Sequence, residues 1–199
     1  LLGWSPKADE EIFSPPDLID RFSLESVNRS PSRFDWDKCT WLNQQHLMKL
    51  TPEEFANAAT PYMAEAGLET PDRFEEMAAS VQEKVQLLSE VPEAVSFYLA
   101  DEVTPDEDTL AKVRRNTEAA TLLSKLAAHL RDLPEWSAAK EGVGATARES
   151  GVKPGQLMFP LRVALTGRTG GPELAAILAV LGRDESIRRI ERASELLQT

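Results

Sequence analysis

Two four-residue runs, Thr51-Pro52-Glu53-Glu54 and Thr104-Pro105-Asp106-Glu107, constrain the fold of this chain more than any other feature. In each, threonine is placed to accept an orphan amide bond at a helix start. Proline takes the first helical position, where its missing N–H loses nothing, and glutamate reaches back to the cap. Ser14-Pro15 offers the same signal before Leu18, Ile19 and Phe22, and Thr70-Pro71 opens a further helix, with Arg73 in the third position. Apolar residues then recur at three and four. Phe74, Met77, Ala78, Val81, Val85 and Leu88 form one stripe, and Leu110, Val113, Thr117, Ala120, Leu123, Leu126, Ala127 and Leu130 form another. Leu174, Ile177, Leu178 and Leu181 follow Gly171-Pro172, Gly182 closes that helix, and Ile187, Ile190 and Leu197 mark the last one. No segment sustains the alternation of a half-buried strand. The expected fold class is all-α with short loops.

Composition removes several function classes. With 199 residues, 42% hydrophobic and 28% charged, the chain reads as an ordinary globular protein of one or two domains. No run approaches the ~18 apolar residues of a membrane span, and no signal-peptide pattern is present. The single cysteine, Cys39, excludes an internal disulfide framework and fits a reducing, cytoplasmic setting; on its helix it is expected to be buried. His46 and His129 with that one cysteine are too few for a Cys/His zinc site, so no metal ligands are assigned. Both histidines read as packed, structural side chains. There is no G-x-x-x-x-G-K-[ST] phosphate loop. Carboxylates such as Glu75-Glu76 and Asp106-Glu107-Asp108 sit where helix dipoles favour them, and no catalytic residue is assigned.

The net charge of −11 argues against nucleic acid at first sight, because phosphate binding is mostly electrostatic. The charge is uneven. Residues 1–70 carry 6 basic and 12 acidic side chains, and residues 71–145 carry 8 and 15. Residues 146–199 carry 8 and 6, seven of the eight bases being arginine. The cationic surface is therefore expected at the C-terminal end, while the acidic run 101–108 is unsuited to lie against a phosphate backbone. The best domain boundary is Gly67-Leu68-Glu69-Thr70-Pro71. Before it, a compact helical unit is expected around Trp4, Phe34, Trp36 and Trp41, with Trp41-Leu42 in its core. After it come residues 71–199, with a further division near Gly142-Val143-Gly144 into 71–141 and 142–199.

Residues 152–167 read V-K-P-G-Q-L-M-F-P-L-R-V-A-L-T-G and set one arginine, Arg162, into an otherwise apolar helical run. Together with Gly171-Pro172 this resembles the K-x-G-x₄-P-L-R-x-A-L-T-G signature of bacterial-type glutamyl-tRNA synthetases. Upstream, Ser30-Pro31, Phe34-Asp35, Lys38 and Trp41-Leu42-Asn43 resemble the family's S-P-x-x-F-D-x-x-K-x-x-W-L/M-N segment. Leu1-Leu2-Gly3-Trp4-Ser5 resembles the L-L-G-W-S that follows the family's catalytic half. The HIGH-type motif and the K-x-S-K-type loop of that half are missing. The resemblance therefore implies a C-terminal fragment that reads tRNA without chemistry, with ATP and Mg confined to the missing half. It implies a tRNA stem-contact domain over residues 1–70 and an anticodon-binding helix cage over residues 71–199. Its expected partners are glutamate tRNA, glutamine tRNA in non-discriminating members, and the catalytic half in cis; the chain is expected to be a monomer.

On the resemblance, Arg162 faces the middle of the anticodon, where a rigid guanidinium presents a bidentate fork to a base edge. On the residues alone, an arginine whose stem covers the core and whose head meets a carboxylate is the more ordinary reading. Gly171 and Pro172, bordered by Thr166, Gly167 and Arg168, are implied to close over an anticodon base. Read from sequence alone, Gly171-Pro172 is a helix start with proline first. Lys84 lies in E-K-V-Q-L-L-S-E-V-P, where the family often has an arginine for the third anticodon base; here the charge is kept and the fork lost. By spacing alone Lys84 is a polar residue on an amphipathic helix. Lys38 and Asn43 are implied to meet the stem backbone, which positions tRNA without reading sequence. The rival from another class is an all-helical protein–protein interaction module derived from the same region, supported by the acidic first two thirds.

Overall fold

Two of the four expected helix starts are capped as the sequence indicates. The computed structural model describes residues 3–4, 11–28 and 33–198. In α1 (Pro15–Arg21), the Asp17 amide donates to Ser14 Oγ at 3.3 Å and the Ser14 amide donates to the Asp17 carboxylate at 3.2 Å. α2 (Trp36–Leu47) begins behind Asp35, which accepts the Lys38 amide at 2.9 Å. In α3 (Pro52–Glu65), Thr51 and Glu54 exchange amide bonds of 2.9 and 3.2 Å. The Ser30-Pro31 pair and most of the Leu1–Ser5 match lie outside the described residues.

The other two threonine–proline pairs do not cap. α4 (Phe74–Val81) begins behind Arg73, three residues past Thr70, and α6 (Glu107–Arg114) begins behind Asp106, which accepts the Thr109 amide at 2.7 Å. Aspartate caps better than threonine, and Glu107 and Asp108 then complement the dipole in the first turn. Both long stripes are also cut. The first ends with α4; single 3-10 turns at Gln82–Lys84 and Leu88–Glu90 lead to α5 (Val91–Leu99). The second divides at residues 115–118 into α6 and α7 (Ala119–Arg131), which leaves Thr117 exposed. α8 (Ala139–Glu149), α9 (Pro154–Thr166) and α10 (Leu174–Leu196) complete an all-α fold, and no strand occurs among the described residues. None of these helices is long and apolar enough to cross a membrane.

Backbone groups released by irregularities tie the helices together. Pro160 lies inside α9 and has no N–H for the Gln156 carbonyl, which instead accepts from Asn116 Nδ2 at 2.8 Å. α10 breaks at Gly182 (φ 75°, ψ 178°), a conformation that side chains with a Cβ resist. The carbonyls orphaned by this break find side-chain donors: Trp136 Nε1 bonds Leu178 at 2.8 Å, and Arg73 bonds Val180 at 2.6 Å and Ala179 at 3.2 Å. Past the break, Arg189 is only 3% exposed. Its guanidinium donates to the carbonyls of Phe97 and Leu165 at 2.8 Å, of Ala100 at 3.0 Å, and to Glu185 at 2.5 Å. One side chain thus satisfies the C-terminal ends of both α5 and α9.

The main apolar core among the described residues runs from Leu47 to Ile190 and includes Phe55, Met63, Leu123, Leu126, Leu161, Leu165 and Ile177, while Val113, Ala119 and Val163 form a second, small cluster. The main core crosses the turn at Gly67 without interruption. The expected aromatic unit before that turn does not form. Trp4 is buried against Phe13 and Phe22, but Trp36 is 75% and Trp41 39% exposed, and Phe34 only edges onto Trp36. Asp35, Asp37 and Lys38 share the short turn that carries Trp36, so this end of α2 is solvated. Cys39 and His46 on the same helix are exposed rather than packed. His129, in contrast, does pack: a Cβ on Gly142 would sit 3.2 Å from its ring, so the missing side chain lets α8 approach α7.

Candidate nucleic-acid interface

The arginine-rich C-terminal end does not present itself as an open cationic surface. Arg168 pairs with Glu93, Arg188 and Arg189 with Glu185, and Arg192 with Glu102. The Arg168 pair fastens the α9–α10 loop to α5 and the Arg192 pair fastens α10 to the acidic turn after α5, while the two Glu185 pairs lie within α10. The Glu185 carboxyl is held below its ordinary value, foremost by the Arg188 hydrogen bond and then by Arg189, against the opposing effect of burial. The acidic run 101–108 is thus where two of these arginines dock, Arg188 reaching the Asp101 carbonyl at 2.5 Å.

Three arginines of this end make no such pair: Arg148 bonds the Gly144 carbonyl at 3.2 Å, Arg183 lies beside the Arg131 carbonyl at 3.4 Å, and Arg162 sits at the turn into α10. Arg162 is half-buried on α9 and has no carboxylate partner among the described residues. Its Nη1 donates to the Pro172 carbonyl at 2.6 Å, which leaves Nε and Nη2 without a protein acceptor there. Gly167 ends α9 in the left-handed conformation (φ 70°) and turns the chain toward α10. The Thr166 hydroxyl donates to the Arg162 carbonyl at 2.8 Å and accepts the Arg168 amide at 3.1 Å. Thr166 is buried and serves as a hinge pin for this loop. Gly171 is exposed with φ 136°, and a Cβ there would lie 3.8 Å from Arg162 Nη1. Pro172 does not take the first position of the next helix: α10 starts at Leu174 behind Glu173. Pro172 is instead buried, and its carbonyl is the acceptor that holds Arg162.

Arg162, Thr166, Gly171 and Pro172 therefore form one corner. Glu173, the residue after Pro172, lines a groove of about 270 Å³ together with Lys84, Met48, Ser80, Gln82 and Ala176 among others. Lys84 is exposed and has no ion-pair partner among the described residues. The backbone on either side of it is pinned by α2: Gln44 Nε2 donates to the Glu83 carbonyl at 3.2 Å and Asn43 Nδ2 to the Gln86 carbonyl at 2.5 Å. Gln82 in turn caps the end of α2 through the carbonyls of Leu47 and Leu50, at 2.7 and 3.0 Å. Lys38, further back on α2, bonds Glu11 at 2.5 Å. Asn43 is thus placed where it steadies Lys84, and Lys38 lies apart from the groove's lining. Glu173, which sequence reasoning did not single out, lines this groove and also a cavity of about 180 Å³ between α8, α9 and α10, beside Lys140, Met158 and Leu174. No group of three or more His, Cys, Asp or Glu among the described residues is arranged to hold a metal ion.

The comparisons with known proteins fall on this same region. Residues 54–194 match the family model described as "Anticodon binding domain". The chain is 49% identical over 197 residues to a glutamate–tRNA ligase of Akkermansia muciniphila, covering 98% of this chain and 44% of that protein. It is 34% identical to one of Moorella thermoacetica, covering 100% and 42%. Among solved structures, the glutamate tRNA ligase of Elizabethkingia meningosepticum in complex with its amino acid superposes with a TM-score of 0.85 at 28% identity, covering 99% of this chain and 39% of that one. The chain thus spans less than half the length of the curated relatives it matches. The matched family segment begins inside α3 and so crosses the turn at Gly67. With that family match over residues 54–194 and relatives 49% and 34% identical along nearly the whole chain, this chain belongs to the anticodon-binding domain family, in the form found in glutamate–tRNA ligases.

Proposed function

We propose that this chain binds glutamate tRNA and reads its anticodon, as the recognition part of a glutamate–tRNA ligase. The observation that carries this reading is Arg162: the base-reading type of side chain, steadied at one nitrogen by Pro172 and left with its other donors uncommitted, in a chain whose other C-terminal arginines are largely absorbed by ion pairs. A guanidinium held in this way loses little entropy when it bonds a base edge. Lys84, across the groove, supplies a second donor as a point charge, which accommodates glutamine tRNA as well as glutamate tRNA. Residues 1–70 would lie along the stem, with α2 both near the RNA and bracing Lys84. Activation of glutamate with ATP and Mg, and its transfer to the tRNA end, would belong to the rest of the ligase. This chain alone would form no glutamyl-tRNA.

Fluorescence-anisotropy titration with glutamate tRNA, beside the same tRNA with its central anticodon base changed, tests the proposal. Tighter binding to the native anticodon, lost in R162A and weakening steeply with salt, is the expected result. Equal binding to both tRNAs overturns the reading of the anticodon. A second reading, a protein-binding module, draws on the apolar row Ile19, Phe22 and Leu24, exposed on and just after α1. It would show as tRNA-independent, salt-insensitive association.

A further inference from the structure

Lys84 and Glu173 occupy the same groove, one from the turn after α4 and one from the start of α10, and neither side chain has a partner among the described residues. Glu173 stands at the N-cap position of α10, and its side chain makes no cap bond there. Its carboxylate is therefore not spent on the helix. Its backbone is fixed nonetheless, because it follows Pro172, whose carbonyl is held by Arg162. In a surface meant for RNA, an unpaired carboxylate repels phosphate and is costly to bury unless a donor meets it. Resting on the reading of this corner as the anticodon interface, we infer that Glu173 is a specificity-determining residue: it selects cytosine over uracil by accepting the cytosine N4 amine, while Lys84 donates to the neighbouring acceptors of the same edge.

The selection follows from the order of groups on the two pyrimidines. Cytosine places its amine at the end of the edge, with N3 and O2 as two adjacent acceptors. A flexible ammonium meets that acceptor pair, and the carboxylate meets the amine, a pairing that glutamate is suited to make. Uracil places its one donor, N3–H, between two carbonyls. A carboxylate that approaches it lies against the lone pairs of both, and one that approaches O4 meets no donor at all. Glu83 adds a second carboxylate to the groove rim, but its neighbours are pinned by α2 and it does not adjoin the Arg162–Pro172 corner.

The test uses the whole chain and a set of glutamate tRNA anticodon-arm hairpins in which each anticodon position carries cytosine or uracil in turn. At one position the wild-type chain should bind the cytosine hairpin about tenfold tighter than the uracil hairpin. E173Q, whose amide both donates and accepts, should bring that ratio to within about twofold with an unchanged thermal midpoint, and E83Q should keep it. A ratio that survives E173Q, an absence of cytosine preference at every position, or a uniform loss of affinity for both hairpins overturns the assignment while leaving the anticodon interface standing. Failure of the wild-type chain to bind any hairpin, or the intact tRNA, overturns the interface and this assignment together.

Discussion

Arg162 Nη1 donates to the Pro172 carbonyl across 2.6 Å, so the side chain proposed to offer a fork to RNA also fastens the loop beside it. Lysine at this position keeps the charge but has a single nitrogen on a flexible stem, so it cannot hold Pro172 and face a base together. R162K is expected to lose about tenfold in the preference for the native over the altered central anticodon base. Its thermal midpoint should stay within a few degrees of wild type. Competition binding with the two tRNAs checks this; an undiminished preference would show that the fork is not the reader.

Arg189 and Arg192 lie one turn apart and make unequal contributions. Arg189 satisfies three backbone carbonyls and Glu185 while buried, so its removal strands acceptors that water reaches poorly. R189A should lower the unfolding free energy by about 3 kcal/mol. Arg192 pairs with Glu102 at the surface with its side chain 45% exposed, and R192A should cost less than about 1 kcal/mol. Urea denaturation of both variants decides the matter, and equal losses would contradict this account of the clamp.

Acid should weaken the fold in a defined direction. Glu185, hydrogen-bonded foremost by Arg188, and Glu76, hydrogen-bonded by Arg73, both have carboxyl pKa values below the ordinary 4.5. Asp106 is lowered from 3.8, foremost by the Thr109 amide. At acid pH the unfolded chain therefore binds more protons than the folded one. The stabilisation is complete above the ordinary values and is lost as pH falls through them toward the depressed ones. Urea midpoints measured from pH 7 down to pH 3 should drop mainly below about pH 4.5, and E185Q should flatten part of that drop. A midpoint that rises toward acid would contradict these assignments.

The break at Gly182 is a backbone requirement. With φ 75° and ψ 178°, a side chain at this position is strained by about 1–3 kcal/mol even though no atom lies within 4 Å of the added Cβ. G182A is expected to lose that much stability in thermal or urea unfolding. Wild-type stability would mean that the two halves of α10 can straighten without cost, against the side-chain bonds that Trp136 and Arg73 make to the carbonyls before the break.

What the sequence disclosed and what it hid divides by the range of the interactions. The boxes at Ser14 and Thr51 are local, and they form. Thr70 and Thr104 carry the same letters but lose to residues nearer the helix, Asp106 having the stronger cap. The residues of the α9 signature are consecutive, and their resemblance led to the corner that Arg162 and Pro172 build. The roles of Asn116, Gln44, Arg73 and Arg189 depend on carbonyls brought near from 24 to 107 residues away. No periodicity carries that. Nor could the counted positive charge of residues 146–199 show that four of its arginines are consumed by glutamates, or that Trp36 points to solvent rather than into a core.

The most direct test of the central claim is to find where the anticodon lies on this chain. Glutamate tRNA carrying a photoreactive 4-thiouridine in the anticodon is bound to the chain at low salt and irradiated, and the cross-linked peptide is identified by mass spectrometry. The account predicts peptides containing Lys84 or residues 162–176, diminished by an excess of unmodified tRNA. Cross-links confined to α1 or to the acidic run 101–108, or none that the unmodified tRNA competes away, would contradict it.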